Sequence, residues 1–370
     1  MPPPSLFELV RVFVKISLLG FGGPTAHLAL MLDEVVERRR WITRERFVQL
    51  VGVTNLLPGP NSSEVAIHIG YTQRGVSGAL ATGLSFLLPT FFIVLGLSWA
   101  YFTYGALPRV EGVLWGIKPA VLAVILWAGV KLARVAVTDA TTAALLVLGV
   151  LVAFVAGGWS VLAMVVGGLV TWGRRRAAAS LPPLVALLPA LALPPLGTLA
   201  TLFLTHLGIG SVLFGGGYML IALLRPYAVD QHAWVTAAQL LDGVALTQAI
   251  PGPISTLVTF VGFGAAGVAG AVLATAGLYL PSFMAVLWAA PRVARMRADG
   301  PMAAALEGVS AVAAGAIVGV AIGLAPAAVP DVAGAVVFVA ALVVLIRFGL
   351  AAGWVVLGGV VVGLGRVLLG

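Results

Sequence analysis

The chain carries one hydrophobic pattern twice, about 193 residues apart, and this duplication limits its fold more than any other feature. Phe21-Gly22-Gly23-Pro24 returns as Phe214-Gly215-Gly216-Gly217, Trp41 as Trp234, and Pro58-Gly59-Pro60 as Pro251-Gly252-Pro253. One residue is lost beyond that point. Gly75-Val76-Ser77-Gly78 then matches Gly267-Val268-Ala269-Gly270, Pro89-Thr90-Phe91 matches Pro281-Ser282-Phe283, and Glu111-Gly112-Val113 matches Glu307-Gly308-Val309. Two apolar halves interrupted by Gly and Pro at corresponding places are the mark of a carrier built from internal repeats, with its site at the interruptions.

The setting is a lipid bilayer. Only 9% of the 370 residues are charged and 61% are hydrophobic, against about 25% charged in soluble domains, and the mean hydropathy is +1.11. The apolar runs are long and continuous, which predicts spanning helices and excludes the short alternating strands of a β-barrel. A net charge of +8 is read as topology, because Lys and Arg gather in cytoplasmic loops. The absence of Cys excludes disulfides, thiolate metal sites and thiol redox chemistry. Nothing near Met1 reads as a cleavable signal.

The expected fold class is an all-α polytopic membrane protein with two inverted-topology repeats and broken or re-entrant helices. The first repeat is assigned to 1–176, a linker to 177–197 and the second repeat to 198–370. In the first, apolar pieces at 5–20 and 25–40 flank Gly20 to Pro24, and pieces at 47–57 and 61–73 flank Pro58-Gly59-Pro60. Each is too short to cross a core of about 30 Å comfortably. Full spans follow at about 77–103, 112–133, 140–156 and 158–173. The second copy has broken segments at about 198–224 and 236–262, then spans near 265–290, 303–325, 332–346 and 350–367. Arg38 to Arg46, Arg74, Lys131, Arg134 and Arg174 to Arg176 share one side if both broken pairs are re-entrant. The equivalent loops of the second copy are nearly stripped of charge, and its positives move to Arg292, Arg295, Arg297 and Arg347. This pattern inverts one copy relative to the other, with a crossing somewhere in 181–213.

Chemistry concentrates at the breaks. Pro58 ends a helix, Gly59 lets the chain turn, Pro60 follows, and Asn61 or Ser62 can cap the next helix. A helix begun at mid-membrane offers unpaired N–H groups and the positive end of its dipole, to which Asn61, Ser62 and Ser63 add donors. Pro251, Gly252 and Pro253 repeat the device with Ser255 and Thr256. The bland alternative is a capped kink with no ligand. Gly22, Gly23 and Pro24 make the earlier break, with His27 one turn inside the helix; Gly216 and Tyr218 hold the matching region. An intramembrane His is costly and tends to be functional, although a neutral ring bonded to a carbonyl is the alternative. Lys118 is a candidate counter-charge for an anion or a partner for Glu64 or Glu111, and Gln248 is a further polar group. Glu64 and Asp242 are the proton-coupling candidates. Glu111 and Glu307 also fit helix-start carboxylates, and Gly75, Gly78, Gly267 and Gly270 fit close helix packing. No metal or cofactor is expected: Gly215-Gly216-Gly217 lacks a Walker lysine or Rossmann spacing, and neither H-E-x-x-H nor G-x-S-x-G occurs.

Phe21-Gly22-Gly23-Pro24-x-Ala26-His27, Pro58-Gly59-Pro60-Asn61-Ser62, Phe214-Gly215-Gly216-Gly217-Tyr218 and Leu241-Asp242-Gly243, with Gln248-Ala249-x-Pro251-Gly252-Pro253, resemble the chromate ion transporter family in its long-chain, two-domain form, over essentially the whole chain. The resemblance implies export of chromate from the cytoplasm, chromate resistance, a bacterial or archaeal inner-membrane location and sulfate as a chemical look-alike. The residues themselves support an anion; chromate comes from the resemblance. The expected partners are that oxyanion and the bilayer, with a homodimer as an option and no nucleic acid. A passive oxyanion channel and a membrane enzyme are the alternatives.

Overall fold

The computed structural model describes residues 3–21, 23–105, 108–174, 197–214, 217–291 and 301–369. Among these the secondary structure is entirely helical. The first repeat contains α1 (Leu6–Leu19), α2 (Pro24–Met31), α3 (Arg44–Thr54), α4 (Asn61–Tyr104), α5 (Pro108–Ala136), α6 (Ala140–Val155) and α7 (Ser160–Arg174). The second contains α8 (Thr198–Val212), α9 (Gly217–Arg225), α10 (Ala237–Ala249), α11 (Leu257–Ala289), α12 (Pro301–Ala328), α13 (Val332–Phe348) and α14 (Ala352–Leu369). Each of these seven α-helices of one repeat has its counterpart in the other. Even irregular features recur: a π-helical turn follows α2 at Leu32–Arg38 and α9 at Pro226–Gln231, and the chain takes positive φ at Arg40 and again at Ala233.

Local signals explain the boundaries. Thr43 caps α3 and Thr236 caps α10, each hydroxyl accepting a backbone N–H from three residues on. Asp139 and Asp331 cap α6 and α13 in the same way. Inside α4 the helix is interrupted at Arg74 and Gly75 (φ −141° and 59°), and inside α11 at Ala266 and Gly267 (φ −154° and 58°). Both long helices are therefore a short inner piece and a long crossing. Gly78 and Gly270 pack closely on the carbonyls of Gly70 and Gly262 across these kinks, whereas Gly75 and Gly267 have open space where a side chain would go. Of the four glycines read as packing positions, two pack and two turn.

Residues 5–40 fold back instead of crossing. Glu8, near the start of α1, lies 3.9 Å from Arg39, and Lys15 lies 2.5 Å from Glu34. The second hairpin, α3 with the inner piece of α4, returns to the same face. Gln73 donates to the Trp41 carbonyl at 3.0 Å, and Arg74 to that of Pro4 at 2.7 Å. Among the described residues four helices are long and apolar enough to cross a membrane: α4, most of α5, α11 with its preceding turn, and most of α12; α6, α8, α13 and α14 are shorter apolar helices.

Equivalent helices run antiparallel. Phe102, late in α4, stacks on Phe263, early in α11, while Gly83 packs on Phe283, late in α11. A two-fold axis relating antiparallel spanning helices is perpendicular to them and so lies in the membrane plane; the repeats are inverted. They also exchange arms: α6 and α7 pack on α12, and α13 and α14 on α5. Small residues let these backbones approach, as where Gly116 faces Gly359 and Gly363, and Gly167 faces Gly308. Following the chain through these crossings puts Arg38, Arg39, Arg40, Arg44, Arg46, Arg74, Lys131, Arg134, Arg174 and Arg347 at one end of the bundle, with Arg225 and Arg366 at the other. Of the stretch 181–213, in which a crossing between the repeats is expected, 181–196 lies outside the described residues, as do Arg175, Arg176, Arg292, Arg295 and Arg297.

Candidate functional site

The four breaks meet crosswise at the centre. The Gly59 N–H donates to the carbonyl of Leu213 at 2.6 Å, and the equivalent Gly252 N–H donates to the carbonyl of Gly20 at 3.1 Å. Each repeat's second break is thus tied to the other repeat's first. Gly59 and Gly252 have φ of 144° and 113°, and a Cβ on Gly59 would run into Ser282 and Glu64, on Gly252 into Thr90. Thr90 and Ser282 are equivalent positions as well. Thr90 also holds Ser17, oxygen to oxygen at 3.1 Å, and donates to the Pro251 carbonyl at 3.3 Å.

Two of the hydroxyls expected at the new helix starts meet at one tyrosine. Ser62, Ser63, Ser255 and Thr256 are buried. Ser255 bonds the Tyr279 hydroxyl at 2.6 Å, and that hydroxyl also faces Ser63 of the other repeat. Glu64, fully buried, has no hydrogen-bond partner for either carboxylate oxygen among the described residues. One helical turn further on, His68 is buried with both ring nitrogens unpartnered among those residues. Buried polar groups are ordinarily paired, which sets these two apart.

Other candidates take different roles from those anticipated. Neither Asn61 nor Ser62 caps α4; the cap position is Pro60, with no side-chain bond. Asn61 is the first residue of the helix, and its side chain is held by Thr54, at 3.2 Å, and Asn55. His27 is buried with Nε2 3.0 Å from the Gly20 carbonyl, the carbonyl-bonded alternative, so it braces the first break. Thr256 donates to the Pro253 carbonyl at 2.8 Å. Gln248 donates to the Tyr218 hydroxyl at 3.0 Å, which pairs two candidates with each other. Gly22 and Gly216 lie outside the described residues; Gly23 (φ 80°) makes the turn into α2, with Pro24 as its first residue.

Lys118 pairs with neither Glu64 nor Glu111. Its ammonium lies 3.6 Å from Asp242 of α10, whose same oxygen accepts from Tyr101 at 2.7 Å. These groups line a cleft of about 370 Å³ bounded by α4, α5 and α10, with Glu111 and Gln239 also in its wall. Sequence reasoning missed His68, Tyr101, Tyr279 and Ser282. The Glu64 to His68 spacing of one helical turn and the repeated Pro-Thr-Phe and Pro-Ser-Phe could have exposed two of them.

Known proteins resemble this chain over nearly its whole length. A family model described as Chromate transporter matches residues 7–172 and 200–364. The Chromate transport protein of Cupriavidus metallidurans is 31% identical over 365 residues, covering 94% of this chain and 89% of that protein. The Chromate transport protein of Pseudomonas aeruginosa is 34% identical, covering 85% of this chain and 80% of its own. The Probable chromate transport protein of Synechococcus elongatus is 30% identical, covering 86% and 84%. No solved structure matches.

Proposed function

The chain belongs to the chromate transporter family, a family of transport proteins rather than enzymes, and from that premise we propose that it exports a tetrahedral oxyanion, chromate first, from the cytoplasm. The observation that carries this reading is the crosswise junction of four broken helices, with Ser62, Ser63, Ser255 and Thr256 at the starts of two of them. Helix starts and hydroxyls supply donors without charge, which suits an anion that must be bound and then let go. The basic face is the cytoplasmic one by the positive-inside rule, which points to the plasma membrane of a bacterium or archaeon. Rocking one inverted repeat against the other would expose the centre to each side in turn.

A divalent oxyanion leaving a negative-inside cell runs downhill by about 4.6 kcal/mol per 100 mV, twice the single-charge value. Membrane potential is thus a sufficient driving force. Glu64, buried among hydroxyls without a partner, is the group assigned to any accompanying proton. Uptake of radiolabelled chromate into inverted vesicles, with an imposed potential and sulfate as competitor, tests the reading. Saturable, potential-dependent accumulation against a gradient supports it. Flux that only dissipates a gradient indicates a channel, uptake of sulfate alone removes the chromate assignment, and absence of any anion flux overturns the whole.

A further inference from the structure

We propose that the cleft between α4, α5 and α10 is the release site of the transport path, in which Asp242 acts as a built-in anion that displaces the oxyanion from Lys118. This rests on the oxyanion reading above and gives it a direction. The floor of the cleft is Asp242, 2% exposed, and Lys118 is 17% exposed beside it. One carboxylate oxygen of Asp242 takes the Tyr101 hydroxyl at 2.7 Å and faces the Lys118 ammonium at 3.6 Å, beyond direct hydrogen-bond distance. Its other oxygen has no partner among the described residues. A hydroxyl and an ammonium converging on one oxygen are the donors a tetrahedral oxyanion would use. The carboxylate therefore occupies an oxyanion's place, loosely enough for exchange.

The charge balance of the lining makes the site weak. One ammonium, Lys118, stands against two carboxylates, Asp242 and Glu111. An oxyanion arriving from the centre meets Lys118, and the adjoining carboxylates oppose its stay, as conduction requires of an exit.

The equivalent region of the other repeat lacks this device. There Arg44, Glu45, Val48 and Gln49 line a shallow pocket of about 500 Å³. Gln49 holds the position that Asp242 holds 193 residues later, and Arg44 the position of Ala237. Because the repeats are inverted, the two openings lie on opposite faces. The basic-face pocket sets Arg44 against Glu45, with neutral Gln49 where the cleft has its displacing Asp242, so one cation faces one carboxylate there and two in the cleft. One opening is suited to capture and the other to release.

The test is side-specific inhibition in oriented vesicles, measuring chromate flux towards the cleft while sulfate is added on the cleft side. The wild type should be inhibited weakly. Asp242→Asn should be inhibited at about tenfold lower sulfate, and adding Lys118→Gln to it should abolish that gain. Should Asp242→Asn be inactive in flux, sulfate binding to the purified variant by calorimetry gives the same comparison, with about tenfold tighter binding expected. Sulfate sensitivity unchanged in Asp242→Asn, or retained when Lys118→Gln is added, overturns the release site while leaving the transporter reading intact. A wild type that neither moves nor binds any oxyanion overturns both.

Discussion

The two repeats share a backbone and differ in chemistry. Breaks, π-turns, kinks and caps recur at equivalent places, yet the groups around them diverge. Where the first repeat sets Arg39 over Trp41 at 5.7 Å and clusters Lys15, Arg38 and Arg39 on Glu34, the second stacks His232 on Trp234 at 4.7 Å. Glu64 follows one break, but Ser255, Thr256 and Leu257 follow the other with no carboxylate. Asp242 stands where the first repeat has Gln49. Duplication supplies the symmetric frame that can face either way. Side-chain divergence then makes the two openings unlike, the asymmetry that a directed path requires.

The largest expected effect breaks the frame itself. Gly59→Ala and Gly252→Ala should each abolish transport and sharply lower the melting temperature, because the new Cβ meets Ser282 and Glu64 or Thr90. Gly75→Ala, with open space around it, should cost only backbone strain of about 1–3 kcal/mol and keep most flux. Equal tolerance at Gly59 and Gly75 would sink the crossed-break description. Glu64→Gln sharpens the comparison between the two breaks: flux should fall tenfold or more with little change in thermal stability, since no hydrogen bond is lost. Wild-type flux in that variant would remove Glu64 from the mechanism.

The smallest effect belongs to the matched caps. Asp139 is held down to about 2 by the Thr142 backbone N–H and by Arg174. A carboxyl below its ordinary value contributes stability above that value and loses it as the pH falls through the lowered one. Asp139→Asn should therefore melt slightly below the wild type at neutral pH, and the gap should close as the pH approaches about 2. A gap that persists in acid would show that the carboxylate charge is not its source.

Most of the frame was legible in the sequence because Gly-Pro breaks and the charge of flanking loops act locally. Whether 5–40 crosses or folds back was not, since that depends on long-range pairs such as Lys15 with Glu34 and Gln73 with the Trp41 carbonyl. The site was legible in part. The serines at helix starts were found from the breaks they follow, but Lys118 was matched to carboxylates close to it in the sequence or the break motif, and its partner Asp242 sits 124 residues away. Tyr279 and Tyr101 sit in continuous apolar runs, where a tyrosine reads as packing until its hydroxyl is seen to have a partner. Asn61 looked like a free donor, and only the fold shows it held by Thr54 and Asn55.

Inversion is the claim on which direction, site and gating all depend, and a chain with no cysteine allows it to be tested with single introduced thiols. Arg40 and Ala233 are equivalent, exposed and matched in backbone conformation. Arg40→Cys and Ala233→Cys should be labelled by a membrane-impermeant maleimide from opposite sides, Arg40→Cys from the cytoplasm and Ala233→Cys from outside. Labelling of both from the same side would contradict the inverted architecture and, with it, the assignment of one opening to capture and the other to release.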